Sequence, residues 1–170
     1  MLRVDLGRLG REGSLPVEAR VSADDPLWEG THLVWAGEVY VRLRATFTGT
    51  GEVVARGGVR GELRQECRRC LQPLVTAFGD EVTLVFVPSD SSSRDAEGDA
   101  YGFEPKGAEL DLSEAVREEV LLTMNPYVVC DPDCRGLCSK CGANLNEVAC
   151  GCTEETVDPR WAALRDLKDK

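Results

Sequence analysis

Polar and apolar residues alternate through much of the first half of the chain. In EVYVRLRATF, residues 38–47, Val39, Val41, Leu43, Ala45 and Phe47 share one face, and Glu38, Tyr40, Arg42 and Arg44 the other. A period of two marks a strand buried on one side. Thr48-Gly49-Thr50-Gly51 predicts a turn, residues 52–55 a short strand, and Gly57-Gly58 another turn. Residues 59–67 alternate again, with Val59, Leu63 and Cys67 opposite Arg60, Glu62, Arg64 and Glu66. Residues 74–78, a Gly79-Asp80 turn and residues 81–87 continue the series. Short strands at close spacing predict an antiparallel meander or a partial barrel.

Residues 89–107 (SDSSSRDAEGDAYGFEPKG) have no apolar period and are rich in Ser, Gly and Asp. Such a stretch buries too little surface to offset its ordering entropy, so the expectation is a flexible acidic loop. LDLSEAVREEVLLTM, residues 110–124, predicts the central helix, with Asp111 or Ser113 as cap. Its inward stripe is Leu112, Val116 and Val120, with Ala115 and Thr123, while Glu118 and Glu119 face out. Asn125-Pro126 ends it. Asp158-Pro159 followed by RWAALRDLK predicts a C-terminal helix with Trp161, Leu164 and Leu167 on its packed face, and Lys168 and Lys170 suit its dipole. The resulting α+β layout is a β-rich body over 1–88, an acidic loop over 89–109, a helix packed on the body over 110–128, and a cysteine-rich module over 129–170.

Eight cysteines change this picture: Cys67, Cys70, Cys130, Cys134, Cys138, Cys141, Cys150 and Cys152. The N-terminal stretch lacks the apolar segment of a secretory signal, so the expected address is the cytoplasm, where thiols stay reduced and clustered cysteines serve metals. Two pairs have C-x-x-C spacing, which lets one tight turn aim two thiolates at one ion. Ligands close in sequence close the shorter loop, so Cys138, Cys141, Cys150 and Cys152 form the first expected site. Cys67, Cys70, Cys130 and Cys134 then form the second, across a long gap; a split that places Cys134 in the first site stays open. Zinc suits four thiolates, with iron as the alternative, and a site closed by four protein ligands is structural.

Catalytic signals are weak. The lone histidine, His32, reads as a strand residue, and no nucleophile elbow, zinc-protease or phosphate-loop motif occurs. The arginines beside Cys67 and Cys70 would favour a thiolate, which keeps a thiol-redox or metal-dependent enzyme as the alternative class.

The net charge of −10 is uneven: residues 1–88 hold eleven arginines against twelve acids, and residues 89–170 nine bases against eighteen acids. An acidic half repels a phosphate backbone and suits a cationic protein, though on charge alone acidity that simply keeps the chain in solution is the favoured reading.

CRRCLQP at 67–73, LDLSEAVREEVLLTMNP at 110–126, CRGLCSKCGANLN at 134–146 and VDPRWAAL at 157–164 resemble, in order and spacing, the YceD family, also called large ribosomal RNA subunit accumulation proteins. The resemblance runs from Cys67 to the end. It implies a cytoplasmic bacterial factor, encoded near a small basic ribosomal protein and linked to accumulation of large-subunit ribosomal RNA. It brings no catalytic residue. Joined to the charge pattern, it gives a basic ribosomal protein or a large-subunit assembly intermediate as the expected partner of residues 89–170. Arg64, Arg68 and Arg69 are the candidate ribosomal RNA contacts.

Overall fold

The computed structural model describes residues 2–89 and 100–152. The chain falls into two units, Met1–Glu66 with Pro73–Val128, and Cys67–Gln72 with Val129–Lys170.

The first unit is built on a five-stranded sheet in the order β2 (Ser14–Val21), β3 (Val39–Phe47), β4 (Val53–Glu66), β5 (Pro73–Pro88), β6 (Ala100–Phe103). The first four strands form the expected antiparallel meander, and β6 adds parallel to β5. The outer strands β2 and β6 do not pair with each other, so no barrel closes among the described residues. A two-stranded ribbon joins β1 (Arg3–Asp5) to β7 (Glu109–Asp111). Helix α1 (Leu6–Glu12) follows β1, its N-terminus capped by Asp5, which accepts from Arg8 N at 2.7 Å, and its C-terminus ended by Gly13 at φ 75°. Helix α2 is Ser113–Thr123.

Alternation sets the core. β3 buries Val39, Val41, Leu43 and Ala45, as its sequence predicts. Leu15, Val17 and Val21 of β2, Val53, Ala55, Val59 and Leu63 of β4, and Val82, Leu84 and Phe86 of β5 join the same face. Leu6 and Leu9 of α1, and Ala115, Val116 and Val120 of α2, belong to the same cluster. Trp28, Trp35 and Phe78 stack in series, with ring centroids 5.1 and 5.8 Å apart. Gly61 makes room for them, because a Cβ there would lie 2.8 Å from the Trp35 ring.

Several expectations are corrected. Gly57-Gly58 and Gly79-Asp80 are not turns: β4 and β5 run straight through them, with Gly57 opposite Val82 and Gly79 opposite Arg60. At Gly57 (φ 154°) a side chain would strike β3, so glycine there serves strand contact rather than reversal. The stretch read as a structureless loop carries β6 and leads into β7, and its residues 90–99 lie outside the described residues. α2 starts after Leu112, since residues 109–111 pair with β1; Asp111 instead accepts from Ser113 N at 2.9 Å. Thr123 is exposed and bonds back to Glu119 O, outside the buried stripe. α1 has no counterpart among the expected elements. His32 lies in a bend and not in a strand. The expectation of a C-terminal helix, with Trp161, falls on residues outside the described ones.

Candidate metal centres

The second unit begins with the turn that joins β4 to β5 in sequence. Cys67-Arg-Arg-Cys70 bends so that Cys67 N donates to Gln72 O at 2.9 Å and Leu71 N donates to Cys67 O at 2.9 Å. The other C-x-x-C repeats this pattern: Cys138 N donates to Ala143 O at 2.8 Å, and Gly142 N to Cys138 O at 2.9 Å. The residue after the second cysteine is left-handed in both, Leu71 at φ 59° and Gly142 at φ 72°. The sequence announces that need at Gly142 but hides it at Leu71, where a leucine accepts a conformation that costs about 1–2 kcal/mol.

The structure brings the eight sulfurs into two quartets, Cys67, Cys70, Cys130 and Cys134, and Cys138, Cys141, Cys150 and Cys152, each with its sulfurs within 4.8 Å of one another. Cys134 therefore sits with the long-range group. All eight thiols are free. Cys67 Sγ lies 3.8 Å from Cys134 Sγ, and Cys70 Sγ 3.6 Å from Cys130 Sγ. A disulfide holds its sulfurs at about 2.05 Å. Sulfurs at about 2.3 Å from a tetrahedral zinc ion are about 3.8 Å apart. The donor set thus fits a four-thiolate ion.

Backbone N–H groups prepare the thiolates. Burial opposes charge on Cys67, but N–H groups of Cys130, Cys70 and Arg69 outweigh it and lower its pKa to about 6; Arg69 N lies 3.4 Å from the sulfur. N–H groups of Cys141 and Lys140 lower Cys138 to about 6. Hydrogen bonding among the thiols has the opposite effect on their neighbours. Cys134 and Cys70 push Cys130 up to about 12, and Cys141 and Cys138 push Cys152 up to about 12. Each quartet so gathers negative charge that a divalent cation neutralises, displacing the remaining protons. Because Cys67 and Cys138 are lowered from 9.0 to about 6, their stabilisation is complete above about 9 and disappears as pH falls through about 6. A bound metal competes with protons for all four thiols of its quartet, so it is expected to be released on acidification; acid titration with a chromogenic chelator reads this directly.

Asn146 is a residue that spacing arguments missed. Its Nδ2 donates to Cys134 Sγ at 3.3 Å, and its Oδ1 accepts from Arg135 N at 2.7 Å. The NLN run after the second C-x-x-C was its only trace in the sequence. An amide that donates to one ligand and orients its loop acts as outer support to a metal site. Asn146→Asp exchanges that donor for a like charge, and is expected to weaken metal binding at this quartet by about 10–100-fold, measured by competition with a zinc chelator.

The candidate RNA contacts separate. Arg64 projects from the exposed face of β4, in the first unit. Arg68 and Arg69 are exposed at the cysteine turn of the second. Arg69 is engaged within that unit, where its Nη1 donates to Pro132 O at 2.9 Å and to Cys134 O at 3.0 Å, bracing the segment that supplies two ligands.

The fold and the site define an α+β protein whose second unit is organised around two four-cysteine clusters able to hold metal ions. The chain belongs to the YceD family, described as "Large ribosomal RNA subunit accumulation protein YceD", which matches residues 55–168. An uncharacterized protein of Mycobacterium tuberculosis is 31% identical over 170 residues, covering 98% of this chain and 81% of that protein. One of Mycobacterium leprae is 28% identical over 167 residues, 96% of this chain and 76% of that protein. The chloroplastic "Large ribosomal RNA subunit accumulation protein YCED homolog 1" of Arabidopsis thaliana is 38% identical over 72 residues, 42% of this chain and 22% of that protein. No solved structure matches the chain. Among the described residues no helix is long and apolar enough to cross a membrane.

Proposed function

We propose that this chain is a non-enzymatic, cytoplasmic bacterial factor that supports accumulation of large-subunit ribosomal RNA, and that both sulfur quartets hold structural zinc. The observation that carries the reading is the family match over residues 55–168, a span that includes all eight cysteines. Four protein sulfurs complete a tetrahedral shell and leave no position for a substrate. The partner is a basic ribosomal protein or an assembly intermediate, held by the acidic half of the chain, with ribosomal RNA at the arginine-bearing strands. Eighteen acids against nine bases in residues 89–170 support the cationic partner.

Depletion in cells tests this. The ratio of large- to small-subunit ribosomal RNA falls, and the wild-type chain restores it; an unchanged ratio contradicts the proposal. One observation favours a thiol-redox enzyme instead, the lowered Cys67 pKa. Against it, Cys67 is fully buried, and a redox thiolate must be reached by its substrate. Insulin reduction by the metal-loaded protein would revive that rival.

A further inference from the structure

Among the described residues, the sheet of the first unit has one packed face and one exposed face, and the exposed face is ordered in cross-strand rows. Arg20, Tyr40 and Arg60 stand opposite one another on β2, β3 and β4. The next row is Glu18, Arg42, Gly58 and Glu81, and the third is Pro16, Arg44, Arg56 and Thr83. Five arginines thus face two glutamates across three rows about 7 Å apart.

Two features are unusual for a merely solvated face. Arg44 lies directly opposite Arg56, and like charges opposite each other destabilise a sheet. Arg44, Arg56 and Arg60 form no ion pair among the described residues, whereas Arg42 meets Glu18 at 3.1 Å. The middle row, with Gly58 at its centre, opens into a hollow of about 640 Å³ lined by Glu18, Arg20, Tyr40, Arg42, Arg60 and Glu81. Tyr40 is half exposed and the Arg20 guanidinium lies 5.5 Å from the centre of its ring, while Glu38 at the edge of the face accepts from the Tyr40 hydroxyl at 3.5 Å and lies 4.0 Å from Arg20.

We propose that this face binds single-stranded RNA, with the arginines on the phosphates and a base on Tyr40. The inference rests on the ribosomal RNA reading above and names the surface that serves it. The charge complements a phosphate backbone, and planar guanidiniums recognise phosphate through paired hydrogen bonds. An aromatic ring on an open sheet is the usual platform for an unstacked base. The overall negative charge does not forbid this, because at physiological salt charges more than about 8 Å from the face are screened.

Fluorescence anisotropy with a labelled single-stranded RNA of about 12 nucleotides tests the proposal on the full metal-loaded chain. Arg44→Gln with Arg56→Gln relieves a repulsion, so folding is preserved, and adding Arg60→Gln removes a third cation. The triple variant is expected to bind at least tenfold more weakly, with the slope of log K against log salt reduced by about 2. Tyr40→Ala is expected to lose about tenfold with the slope unchanged. Wild-type affinity and slope in the triple variant overturn the proposal, as does wild-type protein that binds polyglutamate but not RNA, which assigns the face to an acidic protein. Ribosomal RNA ratios in cells carrying the triple variant separate the two readings: if depletion lowers the ratio but the variant binds RNA normally, only the face is wrong.

Discussion

Cys70→Ser is expected to remove one of two metal ions and to unfold the segment around its quartet, and Cys141→Ser to remove the other ion and unfold the segment around that one. The reason lies in how little apolar side chain the described residues of the cysteine unit bury. Among its described residues the buried hydrophobic side chains are Cys67, Cys70 and Cys134, and none of them belongs to the large apolar cluster. At 48 residues, six in Cys67–Gln72 and 42 in Val129–Lys170, the unit is smaller than the roughly 60 at which a single apolar core is already marginal. Structural zinc contributes on the order of 10 kcal/mol, far more than the turn hydrogen bonds at about 1 kcal/mol each. Metal analysis should fall from two ions to one in each variant, and limited proteolysis should open the segment around the emptied quartet while the sheet of the first unit stays resistant. Full protease resistance of that segment in a metal-free variant would show that sulfur–metal bonds are not its core.

Gly57→Ala should be strongly destabilising although it adds a single methyl group. A Cβ on Gly57 would strike Arg42 O and stand 2.8 Å from Leu43 Cα, at φ 154°. Both neighbours are backbone of β3, which pairs with β4 at Leu43↔Gly57. No rotamer change relieves the clash, so β3 must move away or the residue must leave its conformation. Overpacking of about 1–3 kcal/mol and backbone strain of about 1–2 kcal/mol combine to about 3–4 kcal/mol. Thermal unfolding should begin on the order of 10 °C lower. Gly49→Ala is the matched control: it meets nothing within 4 Å, and its melting temperature should stay within about 2 °C of wild type.

Strand faces were legible because burial on one side enforces a period of two: β3 shows it from Val39 to Ala45 without exception. Glycine was the ambiguous letter. The sequence reads Gly57-Gly58 and Gly79-Asp80 as reversals, yet both lie inside long strands, because the same missing Cβ also permits close backbone approach. Short strands such as β6 and β7 carry too few residues for a period, and β7 finds its partner at the opposite end of the chain. The sulfur grouping was legible since loop closure favours near ligands, and the remaining four cysteines were left to one another. Asn146 and the Arg69 brace were not, because hydrogen bonds to a sulfur and to carbonyls of a distant segment leave no spacing to read.

Native and denaturing mass spectrometry of the purified chain, made without reductant, puts the sulfur–metal reading at risk in a single experiment. The native mass should be higher by two zinc ions, lost on acidification, with all eight cysteines alkylated once the protein is unfolded. A folded chain without metal, its cysteines paired as disulfides and closed to alkylation, would contradict that reading.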